Sequence, residues 1–244
     1  MDRRLRELQR AEEDDYQAIA RYLRARQQLE ELHDLQLLFA AHLGYPPVFL
    51  LKPELIELAE WDGEERPLLT SEDMIPPCGG AQMLGESLDE VLQHYLDLYQ
   101  YLAVCCRLLQ TIILRAQLPR GIRNQVLESI DSVLNLLSMF VADNHVPIEE
   151  LETWQRTLVG RTRVITRKVI AGVGVPADSH YRVAETVYNY LGNLIRTLIR
   201  DMGDQSTNPR GLAQTFWYLC EIDPHLIDTH QMARAILEMD LRFE

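Results

Sequence analysis

Lysine is almost missing from this chain: of its 24 cationic side chains two are lysine, Lys52 and Lys168, and 22 are arginine. A skew that broad is a property of the whole composition, so no single Arg stands out as a selected bidentate clamp. Cysteine is sparse as well, at 78, 105, 106 and 220, and no pair has Cys-x-x-Cys spacing. That excludes a zinc knuckle and a thioredoxin-like redox site. Neighbouring Cys105 and Cys106 fall inside a predicted helix and cannot pair with each other. All four cysteines are expected to be small buried hydrophobes in a reducing compartment.

Long apolar runs are also absent. The most apolar stretch, residues 95–114, is interrupted by Asp97, Gln100, Arg107 and Gln110. It reads as a buried core helix, and no membrane contact is expected. The opening residues MDRRLRELQRAEEDD contain no signal-peptide core and too many acids for a transit peptide, so a cytoplasmic protein is expected. No Gly-x-Ser-x-Gly, Asp-Asp-x-x-Asp, His-Glu-x-x-His or Walker pattern occurs. The lone Gly172-Val-Gly174 is explained by a helix stop and turn before Pro176. Neither a cofactor nor a metal is implied, and an enzyme is the less favoured class.

What is present is an ordinary globular balance, 47% hydrophobic and 25% charged, which argues against overall disorder. The formal net charge of −13 opposes simple binding to a nucleic-acid backbone or an anionic membrane. At 244 residues the chain can bury a sizeable core as one large or two small domains.

Nearly every readable pattern is helical. Residues 1–43 carry apolar positions at Leu5, Leu8, Ile19, Tyr22, Leu23, Leu29 and Leu32, with charge at Glu12, Asp15 and Arg26 where a strict heptad seam would fall. They are expected to form a long amphipathic arm, ending at Gly44 and Pro46. Residues 44–85 form an irregular segment; eight acids and one cation lie within 53–73. Residues 86–244 are expected to form a helical bundle. Its helices run from a Ser87–Glu90 capping box to about 117, and then over 121–144, 148–171 and up to 202. Two shorter ones are expected to begin at Asn208-Pro209 and Asp223-Pro224. Short links favour antiparallel neighbours, so the expected fold is all-α, an up-and-down bundle with an N-terminal arm and one acidic loop.

The most unusual segment reverses the overall charge. Between Thr153 and Ala177 there are five cations, Arg156, Arg161, Arg163, Arg167 and Lys168, and no acid. Taken alone, VITRKVI passes for a strand. Over a longer window, Ile148, Leu151, Trp154, Leu158, Ile165, Val169 and Ile170 share one broad helical arc. Arg156, Arg163 and Arg167 project within about 40° of one another on a different face. The plain reading is a solvated face with Arg stems covering the core edge. The functional reading is a surface for an anionic partner: the chain's own acidic segment, another protein or a second copy, or a phosphate backbone. No aromatic alternates with the cations, so base stacking is unsupported and a protein contact is preferred. Trp61, Trp154 and Phe216-Trp217-Tyr218 read as core or interface aromatics.

Seven histidines offer little chemistry. Glu30 and His33 make one Glu-x-x-His pair, where a helical di-iron site needs two. His33-Asp34 is similar to the dipeptide of helical metal phosphohydrolases, but no earlier His precedes it. His225 and His230 diverge by about 140° on one helix, which disfavours a shared metal. Arg26 and His33, seven residues apart, resemble the loose Arg–His spacing of all-helical HEPN-type ribonucleases. That resemblance implies phosphate stabilisation by Arg26 and acid–base work by His33, both on one helical face. It covers eight residues of the 244. The leading expectation is therefore a non-catalytic adaptor or complex subunit. The alternative is a nucleic-acid-associated helical subunit or a HEPN-like ribonuclease.

Overall fold

The computed structural model describes residues 15–59, 78–143, 148–170, 177–201 and 211–239. Among them the chain is all-α, with ten helices in order. These are α1 (Tyr16–Gln28), α2 (Asp34–His42), α3 (Pro46–Leu51), α4 (Cys78–Tyr95), α5 (Leu98–Arg115), α6 (Arg120–Asp143), α7 (Ile148–Ile170), α8 (Ala177–Asp201), α9 (Leu212–Ile222) and α10 (Thr229–Glu238). Short 3-10 turns cover Pro53–Ala59 and Pro224–Leu226. The start of the expected arm, most of the acidic stretch 53–73, the Gly172–Pro176 turn and the Asn208-Pro209 cap lie outside the described residues. No helix among the described residues is long and apolar enough to cross a membrane.

The chain divides into two compact units, Met1–Ile75 with Asp228–Arg242, and Pro76–Ile227. In the first, Asp15 caps α1 by accepting from the Ala18 N–H at 2.8 Å. A continuous helix was the expectation over residues 2–43, but α1 stops at Gln28 and Glu30 takes the left-handed region at φ 59. His33 then starts α2 through a reciprocal capping box with Gln36. The break turns α2 inward: Leu37, Phe39, Ala40 and Ala41 have no exposed surface. The amphipathic stripe of α1, with Ile19 and Leu23 buried, packs on α3, and α2 packs on α10. Each such buried aliphatic side chain contributes about 1.5–3 kcal/mol.

In the second unit, the single helix expected from Ser87 to about 117 is two. Ser87 lies within α4, and the chain breaks at Leu96. Asp97 accepts from the Gln100 N–H at 2.8 Å, and Gln100 returns the bond to the Asp97 N–H at 3.3 Å. This local box outcompetes helix continuation because it satisfies the donors that a new N-terminus exposes. The break frees the two halves to pack differently. α4 lies chiefly along α9, far away in sequence, whereas α5 lies along α6. α8 packs against α5, α6, α7 and α9. Its stripe Val187, Leu191, Leu194, Ile195 and Leu198 is buried throughout.

Candidate functional site

The basic segment is helical, as its longer-range pattern indicates. Leu151, Leu158 and Ile165 are buried two turns apart, and this seam fixes α7 along α8. Arg156, Arg163 and Arg167 are consequently exposed on the outer side. Arg156 lies along its own helix, donating to the Glu152 carbonyl at 3.2 Å and the Thr153 hydroxyl at 3.3 Å. Arg163 and Arg167 have no hydrogen bond or ion pair among the described residues. Between them and beside them lie Val164, 53% exposed, and Val159, 36% exposed. At Gly160 a Cβ would meet nothing within 4 Å, so this face also contains an open step. The result is a surface with free guanidinium groups and bare aliphatic side chains on one helix.

Arg161 does not join this outer set. Arg161 is turned to α6, donating to the Gln125 carbonyl at 3.2 Å and to the Ser129 hydroxyl, with the Glu128 carboxylate 3.9 Å away. It braces α7 and is not available on the outer face. The Lys168 side chain lies outside the described residues. Among the described side chains the accessible set is therefore Arg156, Arg163 and Arg167.

Arg26 and His33 line one cleft of about 600 Å³, together with Glu30, Glu31, Asp34 and Glu238. They do not share a helical face, because α1 ends between them. The Arg26 guanidinium donates to the carbonyls of Leu237 at 2.8 Å and Glu31 at 3.0 Å, and stacks 5.7 Å above the Tyr22 ring. His33 accepts from the Leu35 N–H at 3.3 Å through Nδ1. Each is thus occupied in ending or starting a helix. Beside them, buried Gln36 donates to the carbonyls of Ile236, Leu237 and Met239 at 3.0, 3.2 and 2.7 Å. Arg26 and Gln36 together satisfy the C-terminal carbonyls of α10, and the guanidinium charge complements the negative end of that helix. Asp34 is bound by Lys52 at 2.7 Å, which holds its carboxyl below the usual range.

A polar group that sequence patterns did not reveal lies inside the second unit. The buried Asp89 carboxylate accepts from the Tyr101 hydroxyl at 2.5 Å and from the N–H groups of Gly211 and Leu212 at 3.3 and 3.2 Å. Burial pushes the Tyr101 phenol far up and does the same to the neighbouring Cys105 thiol. Cys106 is raised to about 12, again by burial. These thiols stay protonated and are poor nucleophiles. Among the described residues no group of three or more His, Cys, Asp or Glu side chains could hold a metal ion. His225 gives its backbone N–H to Asp223 at 3.0 Å, an arrangement that starts the Pro224–Leu226 turn.

Comparison with protein-family models, with curated proteins and with solved structures gives no match.

Proposed function

We propose that this protein is a non-catalytic helical adaptor, holding another protein chain against the outer face of α7. The observation that carries this reading is the pairing of free Arg163 and Arg167 with exposed Val159 and Val164. A solvated helix face ordinarily mixes both signs of charge. Here no acid occurs between Thr153 and Ile170 in a chain of net charge −13. An acidic partner with some apolar surface complements both features, gaining association rate from the charge and contact area from the valines.

The sequence pattern of residues 1–43 supplies a second contact in this reading. Within it, Ile19, Leu23, Leu37 and Phe39 are already buried in their own unit, which leaves the α7 face as the main surface. Three buried free thiols, Cys105, Cys106 and Cys220, suit a cytoplasmic setting.

Purification from the native host tests the reading. The co-purifying chains and the 260/280 nm absorbance ratio are recorded before and after nuclease treatment. A stoichiometric protein partner, retained after nuclease, is the expected result. Absorbance that disappears with nuclease and takes the partner with it would place nucleic acid on this face instead.

A further inference from the structure

Helices that pack side by side ordinarily close their seam with apolar ridges. α8 and α9 pack, yet part of their seam is polar and open. Thr186, Asn189 and Asn193 from α8 and Gln214 and Tyr218 from α9 line a groove of about 580 Å³. Among the described residues no hydrogen bond crosses it. Asn193 accepts from Arg196 on its own helix at 3.3 Å, and Gln214 reaches Tyr218 on its own helix at 3.4 Å. Among the described residues Thr186 and Asn189 have no side-chain hydrogen bond.

The groove is bounded by closely packed groups. Its floor includes the buried Tyr190 ring, and its end is formed by Gly211. Gly211 has φ 148, and a Cβ there would lie 3.0 Å from that ring, so only glycine allows the approach. From the far side Asp89 binds the first N–H groups of α9 and fixes the position of this wall.

We propose that this groove binds a neutral polyhydroxylated ligand of one or two sugar rings. Each carboxamide presents an acceptor oxygen beside two donor hydrogens, which matches hydroxyl groups that both donate and accept. The Tyr218 ring, 42% exposed, offers a flat apolar surface to the C–H face of a sugar ring. The charged lining groups are Arg182, Glu185 and Glu221, and the Glu185 carboxylate is engaged by the Thr166 hydroxyl of α7 at 2.5 Å. The lining from Thr186 to Asn193 on α8 and from Gly211 to Tyr218 on α9 is uncharged, which favours a neutral ligand over an ionic one there. The volume falls within the range of small-molecule sites, roughly 300–1,000 Å³.

Saturation-transfer NMR and calorimetry on the full chain with maltose, cellobiose and trehalose test this assignment, with triglycine as the peptide control. At least one disaccharide is expected to bind saturably. The exposed double substitution Asn189→Ala with Gln214→Ala should weaken it by roughly tenfold or more while helical content and melting temperature hold. Tyr218→Ala should weaken it separately. Absence of saturable binding by all three sugars, equal binding by the double variant, or preference for triglycine would each overturn the assignment.

Discussion

The carboxylate of Asp89 accepts the backbone N–H of Leu212 at 3.2 Å, joining positions 123 apart in the chain. The relationship explains how α9 begins. Its N-cap residue is Gly211, which has no side chain with which to cap. A helix start leaves N–H groups that need acceptors, and they are costly when buried without one. Asp89 on α4 supplies the missing oxygen from a distance, and Tyr101 on α5 holds the other side of the carboxylate. One buried group therefore links α4, α5 and α9.

Asp89→Ala is expected to destabilise the protein by about 3 kcal/mol, because the Tyr101 hydroxyl and two backbone donors lose an acceptor together. Asp89→Asn retains an acceptor oxygen and should cost less. Urea unfolding monitored by circular dichroism gives both values. A change below about 0.5 kcal/mol for the alanine variant, the size of an ordinary surface substitution, would show that the link is dispensable.

Gln36 serves two helices at once, boxing the start of α2 and binding three carbonyls at the end of α10. Gln36→Leu keeps the volume and removes both jobs, with an expected loss of about 2 kcal/mol. Hydrogen exchange should accelerate across Thr229–Glu238, and Arg26→Ala should do the same more weakly. Unchanged exchange in that helix would contradict the capping assignment.

His230 provides the pH dependence. It is 6% exposed, meets Tyr16 and Tyr45 edge-on at 6.0 and 5.2 Å, and its buried Nε2 has no hydrogen-bond partner among the described residues. Burial lowers its pKa below the ordinary 6.5, with Arg234 acting the same way and Asp228 opposing. The unfolded chain therefore takes up the proton first on acidification. Stability from this group is complete above pH 6.5 and declines as pH falls toward the folded pKa. His230→Leu should flatten this part of the profile. An imidazole titrating at or above 6.5 in an NMR experiment on the folded protein would refute it.

The helical class was legible because apolar spacing in α6, α7 and α8 persists over many turns, and tertiary contacts agree with it. α7 shows this well: the strand-like VITRKVI is overruled by Leu151, Leu158 and Ile165, which are buried in register. The breaks at residues 29–33 and 96–97 were harder to see. Both rest on side-chain capping, by His33 with Gln36 and by Asp97 with Gln100, inside stretches whose composition is uniformly helical. The Asp-x-x-Gln at 97–100 was a readable signal, outweighed by the apolar run around it.

The site was only partly legible for a different reason. Periodicity identifies which face of α7 is outward, hence Arg156, Arg163 and Arg167. It does not show that Arg161 finds Gln125 and Ser129 on another helix. Nor does local sequence show Asp89, because its partners come from a segment more than a hundred residues away. Arg26 and His33 have the spacing of a catalytic pair on a continuous helix, and the helix break separates them.

The most direct test of the adaptor reading is the charge reversal Arg163→Glu with Arg167→Glu, compared with the wild-type chain in quantitative co-purification from the native host. Both side chains are exposed and unpaired among the described residues, so melting temperature should hold to within a degree or two. The predicted result is at least a tenfold loss of a stoichiometric protein partner, with fold and expression unchanged. Full retention of that partner by the reversed surface would contradict the account.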